Sequence, residues 1–274
     1  MKNTYLHILL LFFLSFSYAQ STLQNGLVAH YPLDGNTLDF SGNSNHGTPA
    51  PILIGPSFTT DRQGNPNSAF LFNGFDNYIR LANNANFEPT LPVTVAAWIK
   101  LNGTPASLAP IFDNNDTDNV SNGVVLLLSS SRKVALSLGG IGNHVARSRR
   151  SKVRIATLIP GKWYHVAVAA RGILDMDVYL NGKRECGSYS GSGPGLAYFQ
   201  GGPGGAIGRA DASDVVNNQN YFKGAIDELR FYERALSADE IRELAEAPAR
   251  KNEVTICQNE SVILNAGAGA SYYW

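Results

Sequence analysis

The sequence predicts an all-β protein, and three observations carry that prediction. Short aliphatic runs repeat with the two-residue period of a pleated strand. Asn-rich turns and 27 glycines in 274 residues punctuate those runs. Helix-period patterning is nearly absent between the N-terminal apolar run and Ser237. The roughly 220 residues between Asn25 and Glu246 suffice for one large core.

Taken in chain order, the first element is Lys2, an apolar run from Ile8 to Phe16, and Ser17-Tyr18-Ala19 before Gln20. A charged start, an apolar centre and small residues at a cleavage point make residues 1-19 a secretory signal peptide. The run is shorter than the roughly 20 residues that span a bilayer. No later segment is long and apolar enough to cross one, so a secreted or cell-surface chain without membrane insertion is expected.

Strands are expected at Leu27 to Pro32, Ala69 to Phe72, Tyr78 to Leu81, Val93 to Lys100, Val124 to Ser129, Val134 to Leu138, Lys162 to Ala170, Asp177 to Leu180 and Ala225 to Tyr232. Asn181-Gly182 readily takes the positive φ angles of a tight hairpin, making Lys183 to Cys186 the returning strand. Ser237 caps a short helix, Glu240 completes its capping box, and Leu236 staples against Ile241. Ala238, Ile241, Leu244 and Ala245 form its narrow apolar stripe. Asp239 and Glu240 sit in the first turn, where the helix dipole favours negative charge. Pro248 ends the helix, residues 247-253 read as a linker, and a second β module begins at 254-274.

Charge is balanced, with 22 Lys plus Arg against 22 Asp plus Glu. No global field draws in nucleic acid or acidic lipid. Cys186 and Cys257 are the two cysteines, in a compartment that permits disulfides. They fall in different expected domains, so Cys257 is expected to pair with a cysteine beyond Trp274.

Asp227 stands out within "GAIDELRFY". By strict alternation it shares a face with Leu229 and Phe231, while Glu228 and Arg230 lie with Ile226 and Tyr232. Either face could point inward, and the reading favours Asp227 as the inward acid. A buried carboxylate needs a partner, a proton or a metal.

The segments "LVAHYPLDGNTLDFSGNSNHGT", "FNGFDNYIRL", "VTVAAWIK", "GKWYHVAVAA", "VYLNGK" and "YFKGAIDELRFYERALSADEI" resemble, in order, laminin G-like domains of the concanavalin A-like lectin/glucanase superfamily. The resemblance spans residues 26-246 and implies a jelly-roll sandwich of two antiparallel sheets. "CQNESVILNAGAGASYYW" looks like the start of an immunoglobulin-like or PKD-like repeat. Calcium takes six to eight oxygen ligands, and domains resembling this one bind it where the "DGN" segment meets the "GAID" strand. Carried over, the ligands are Asp34 and Asp227, carbonyls near Asn45 and Gly47, and Asp39, with a structural role for the ion. The competing reading has Asp34 and Asp39 in Asx-turns and Asp227 bonded to backbone amides.

The loop "DNNDTDN", with Asp113 and Asp116, lacks the glycine and glutamate of an EF-hand and reads as a solvated loop bordering a ligand site. Tyr198 and Phe199, in a glycine-rich stretch, are candidates for an exposed sugar-stacking rim, whereas Trp98, Trp163, Tyr164 and His165 read as core. Arg147 to Arg154 reads as a solvated basic hairpin without the aromatics of a nucleic-acid platform. Glycoside hydrolysis needs paired carboxyls, and no Glu-x-Asp-x-Glu triplet occurs. Asp175 and Asp177 are expected at turn and solvent-facing positions. A noncatalytic recognition or adhesion module is therefore expected, its partner an extracellular glycan or protein surface. The alternatives are a targeting module for a carbohydrate-active enzyme and a structural spacer.

Overall fold

A computed structural model describes residues 22–51, 57–114, 122–140, 149–154, 156–193, 195–198, 204–209 and 221–247. The expected signal peptide, second module, Asp116, Phe199 and Cys257 lie outside the described residues. Among the described residues no helix is long and apolar enough to cross a membrane.

The chain forms strands β1 (Leu27–Tyr31), β2 (Thr48–Ala50), β3 (Phe58–Thr59), β4 (Ala69–Asn73), β5 (Tyr78–Arg80), β6 (Val93–Leu101), β7 (Ala109–Asp113), β8 (Gly123–Leu128), β9 (Val134–Gly139), β10 (Arg149–Arg154), β11 (Trp163–Gly172), β12 (Asp175–Leu180), β13 (Lys183–Glu185), β14 (Gly187–Gly191), β15 (Ala206–Ile207) and β16 (Lys223–Tyr232), then helix α1 (Ala238–Glu246). They assemble into two eight-stranded sheets. Sheet A runs β13-β12-β11-β6-β16-β4-β3, with β1 also on β16, and sheet B runs β14-β10-β9-β8-β7-β15-β5-β2. All pairings between these strands are antiparallel. This is the expected all-β jelly-roll sandwich.

Alternation builds the core. Val93, Val95, Ala97 and Ile99 of β6 meet Val166 and Val168 of β11 on the inner face, opposite Val124, Leu126, Val134 and Leu136 of sheet B. A second cluster lies on the outer face of sheet A, where Ile241 and Leu244 of α1 pack on Ala96, Ala167, Ala169, Tyr179 and Tyr232. Ser237 caps α1 with the full capping box expected from its sequence.

Three expectations need correction. Arg149–Arg154 is the returning strand of a β9–β10 hairpin, as expected, but it is also paired on its other side to β14 and so lies within the sheet; Arg154 is buried and lies 3.2 Å from Glu185. Trp98 and Trp163 face outward from sheet A and are half-buried, because β6 and β11 give the inner positions to smaller aliphatics. Asp227 does not share a face with Leu229 and Phe231. A β-bulge between Asp227 and Arg230 inserts one residue against β6, with Glu228 at φ 52°, and an inserted residue reverses the alternation beyond it.

Candidate functional site

Because of that bulge, Asp227 pairs in register with Trp98 and points away from the inter-sheet core. It is nevertheless buried, as is Glu228 beside it. Arg62, from the loop after β3, donates from Nη1 to Asp227 Oδ2 at 2.8 Å and from Nη2 to the Ala247 carbonyl at 2.7 Å. Its guanidinium lies 4.6 Å from the Trp98 ring centroid. Arg62 thus ties a loop, the last strand and the C-terminal end of α1 together. One bulge residue further, Glu228 Oε2 lies 2.7 Å from His30 Nε2 and 2.6 Å from Arg230 Nη2.

Burial, with Glu228, Asp34 and Asp61 nearby, pushes the Asp227 carboxyl up to about 8 against the pull of Arg62. Burial would also raise Glu228, but Arg230 and the His30 hydrogen bond outweigh it and hold that carboxyl down at about 2. Two acids split in this way resemble a general acid and its partner base. Here they are 2% and 5% exposed and already engaged by Arg62, His30 and Arg230. Both carboxyls are therefore taken up within a buried polar network.

The segment expected to hold calcium is equally committed. Asp39 accepts four hydrogen bonds, from the His30, Ser41 and Asn45 amides and the Ser41 hydroxyl, all between 2.7 and 2.9 Å. The Tyr31 hydroxyl donates to the Asn45 carbonyl, and Thr37 Oγ1 donates to the Gly47 carbonyl at 2.8 Å. Asn45 also uses its own amide, donating to Val28 O at 2.9 Å and accepting from Asn84 at 2.9 Å. Asp34 is half-buried, its carbonyl accepting from the Asn36 side chain at 3.0 Å. A cation would share these oxygens with the N–H and O–H donors: four bonds engage the Asp39 carboxylate, and one donor reaches each of the Asn45 and Gly47 carbonyls. Among the described residues no three His, Cys, Asp or Glu side chains gather to hold a metal ion. This is a hydrogen-bonded arrangement around part of the expected ligand set. It fits the competing reading for Asp39, and it gives Asp227 an arginine instead of backbone amides.

Of the expected ligand rim, Asp113 is the last residue of β7 and fully buried, not part of a solvated loop. Tyr198 is half-buried, its hydroxyl donating to the Pro89 carbonyl at 2.8 Å; burial raises its pKa well above the usual phenol range. Both therefore support the surface more than they display themselves on it.

What lies beside Asp113 was not read from the sequence. Asp113, Ala206 and Arg80 occupy one cross-strand row over β7, β15 and β5, continued to Thr48 of β2. This row is on the outer face of sheet B, since the neighbouring row, Phe112, Ile207 and Ile79, enters the core. Arg80 is exposed and donates to the Tyr78 hydroxyl at 3.1 Å. Arg209 stacks 4.0 Å from the Tyr78 ring centroid and pairs with Tyr221, whose ring lies 6.3 Å from that of Tyr78. Ala206, between Asp113 and Arg80 in the row, is fully buried. The signal available in sequence was the Tyr-x-Arg alternation of β5; the distant Arg209 and Tyr221 carried none.

Residues 72–242 match the laminin G-like family described as the concanavalin A-like lectin/glucanases superfamily. Comparison with curated proteins gives no match. Among solved structures, domain 4 of AbnA, a GH43 extracellular arabinanase from Geobacillus stearothermophilus in complex with arabinotriose, is similar at TM-score 0.54 and 23% identity, covering 80% of this chain and 98% of that one. A structure of botulinum neurotoxin type C, whose cell entry depends upon two ganglioside molecules, is similar at TM-score 0.59 and 13% identity, covering 82% and 52%. The serotype D/C binding domain matches at TM-score 0.57 and 14% identity, covering 81% and 52%. The chain thus spans about half the length of the neurotoxin chains, and all three likenesses concern the fold.

Proposed function

The chain belongs to the concanavalin A-like lectin/glucanases superfamily, and from that premise we propose that it is an exported, noncatalytic glycan-recognition module. The observation that carries this reading is the Arg80, Tyr78, Arg209 and Tyr221 cluster on the outer face of sheet B. Guanidinium groups present several fixed donors to sugar hydroxyls or carboxylates, and ring stacking on Tyr78 holds Arg209 in place. Paired strands beneath supply the rigidity such a site needs. The arabinotriose bound by the arabinanase domain supports a sugar as the ligand class. The same neighbour supports a second reading, in which this module targets a catalytic domain elsewhere in the chain.

The noncatalytic part rests on the acids. Asp175 and Asp177, the nearest sequence approach to a catalytic pair, share Arg171 at 2.7 and 2.6 Å. Its hydrogen bond leads the lowering of Asp175. For Asp177, burial is outweighed by Arg171 and Arg184, so neither is poised to donate a proton at neutral pH.

Glycan-array binding and titration with arabinotriose test the reading. Binding should be reduced at least about tenfold by Arg80→Ala and Arg209→Ala, as expected for lost charge-assisted contacts. Binding to no glycan favours a spacer, and polysaccharide turnover by this chain overturns the noncatalytic assignment.

A further inference from the structure

Three of the six large hydrophobics exposed among the described residues, Phe75, Leu108 and Ile159, lie at one end of the sandwich. Hydrogen bonds bind their loops together there. Asn102 N donates to Lys223 O, Gly161 N to Leu101 O and Leu158 N to Arg132 O, while the Arg132 guanidinium donates to Thr104 Oγ1. Phe75 belongs to the β4–β5 turn, whose Gly74 packs against the Lys223 side chain. From β11 to β4 this end crosses three strand spacings, about 14 Å.

The charges on these loops are one-sided. Lys162 and Lys223 are exposed, Arg132 and Lys133 half-buried. Asp76, bonded to the Asn73 side chain at 2.6 Å, is the one acid among residues 74–76, 102–108, 129–133, 156–162 and 221–223. A protein partner would need a contiguous apolar patch, whereas these tips stand on separate loops with cations between them. Apolar tips set among Lys and Arg match a boundary with anionic headgroups above and acyl chains beneath. We propose that this end of the sandwich is a peripheral docking surface for an anionic lipid–water interface. It adjoins the Tyr78 cluster through Tyr221 and does not depend on sugar binding.

Co-sedimentation of the full chain with vesicles tests this, using phosphatidylcholine alone and phosphatidylcholine with about 30% phosphatidylglycerol. Variants are run beside the parent, so any contribution of residues 1–21 is common to all. Binding should be at least about tenfold tighter to the anionic vesicles and should weaken with salt. Phe75→Ser with Ile159→Ser, and separately Lys162→Glu with Lys223→Glu, should each reduce it about tenfold or more. Leu174→Ser, in the β11–β12 turn at the opposite end, should leave it unchanged. All are exposed positions, and equal melting temperatures confirm folding. No preference for anionic vesicles, or variants that bind like the parent, overturns the proposal. Binding to soluble dextran sulfate that is as tight, and indifferent to the Phe75 and Ile159 changes, assigns the cations to an anionic polymer and also overturns it.

Discussion

Replacing His165 by Phe should flatten one component of the pH dependence of stability. His165 lies on the outer face of sheet A, fully buried, with its ring edge-on to Trp98 at 5.5 Å. Its Nδ1 is buried without a hydrogen-bond partner among the described residues. Burial first, then Arg230 and Arg62, lower its pKa from 6.5 to about 3. A base whose pKa falls on folding is protonated first in the unfolded chain. Its contribution is therefore fully present above pH 6.5 and is lost as pH drops from 6.5 toward 3. The limiting slope is about 1.4 kcal/mol per pH unit, which integrates to about 2 kcal/mol between pH 7 and pH 5.

Other groups bend the absolute curve. Asp227, raised from 3.8 to about 8, favours the fold at low pH and loses that contribution as pH rises through this window. Glu228, lowered from 4.5 to about 2, contributes above pH 4.5 and is lost below it. Subtracting the His165→Phe curve removes both, because the two proteins share them. In urea unfolding at pH 7, 6 and 5, the stability difference should move about 2 kcal/mol in favour of the Phe variant as pH falls. Curves that stay parallel within about 0.5 kcal/mol would refute the assignment of a neutral, proton-resisting His165.

Two further outcomes test the closed polar face. Arg62→Ala should destabilise by about 3 kcal/mol, since it leaves a buried carboxyl and the Ala247 carbonyl without their donor; adding Asp227→Asn should recover part of that loss in a double-mutant cycle by denaturation. EDTA should leave the melting temperature of the metal-equilibrated protein unchanged, because protein donors already engage Asp39, the Asn45 and Gly47 carbonyls and Asp227; a drop of several degrees would assign calcium to that loop.

The sandwich was legible because its central strands obey local rules. β6, β8, β9 and β11 carry long aliphatic alternations, and Asn181 and Gly182 take the positive φ their sequence announces. β10 was hidden because its arginines and lysine make it read as solvent-facing, yet backbone pairing on two sides holds it in the sheet. Pro110 and a register shift similarly obscured β7. The candidate site was less legible for a different reason. Alternation can be followed only until a bulge interrupts it, and Glu228 carries no glycine or asparagine to signal its positive φ. Arg62 and Arg209 are placed by tertiary packing, which local patterns do not encode.

The two faces then divide their roles on energetic grounds. The outer face of sheet A is sealed, by α1 over Ala96, Ala167 and Tyr232 and by the Arg62–Asp227 and His30–Glu228–Arg230 contacts beside it. Opening it to a ligand would uncover apolar surface and strand buried charges together, each costing several kcal/mol. On sheet B, Arg80 is already exposed, and its guanidinium donates to the Tyr78 hydroxyl. A ligand docking there would meet a guanidinium already held by a ring hydroxyl on a paired strand. Preorganisation of that kind is what converts a modest contact area into affinity, which is the physical ground for the proposal that recognition uses sheet B, while the acids that stand out in the sequence are engaged within sheet A.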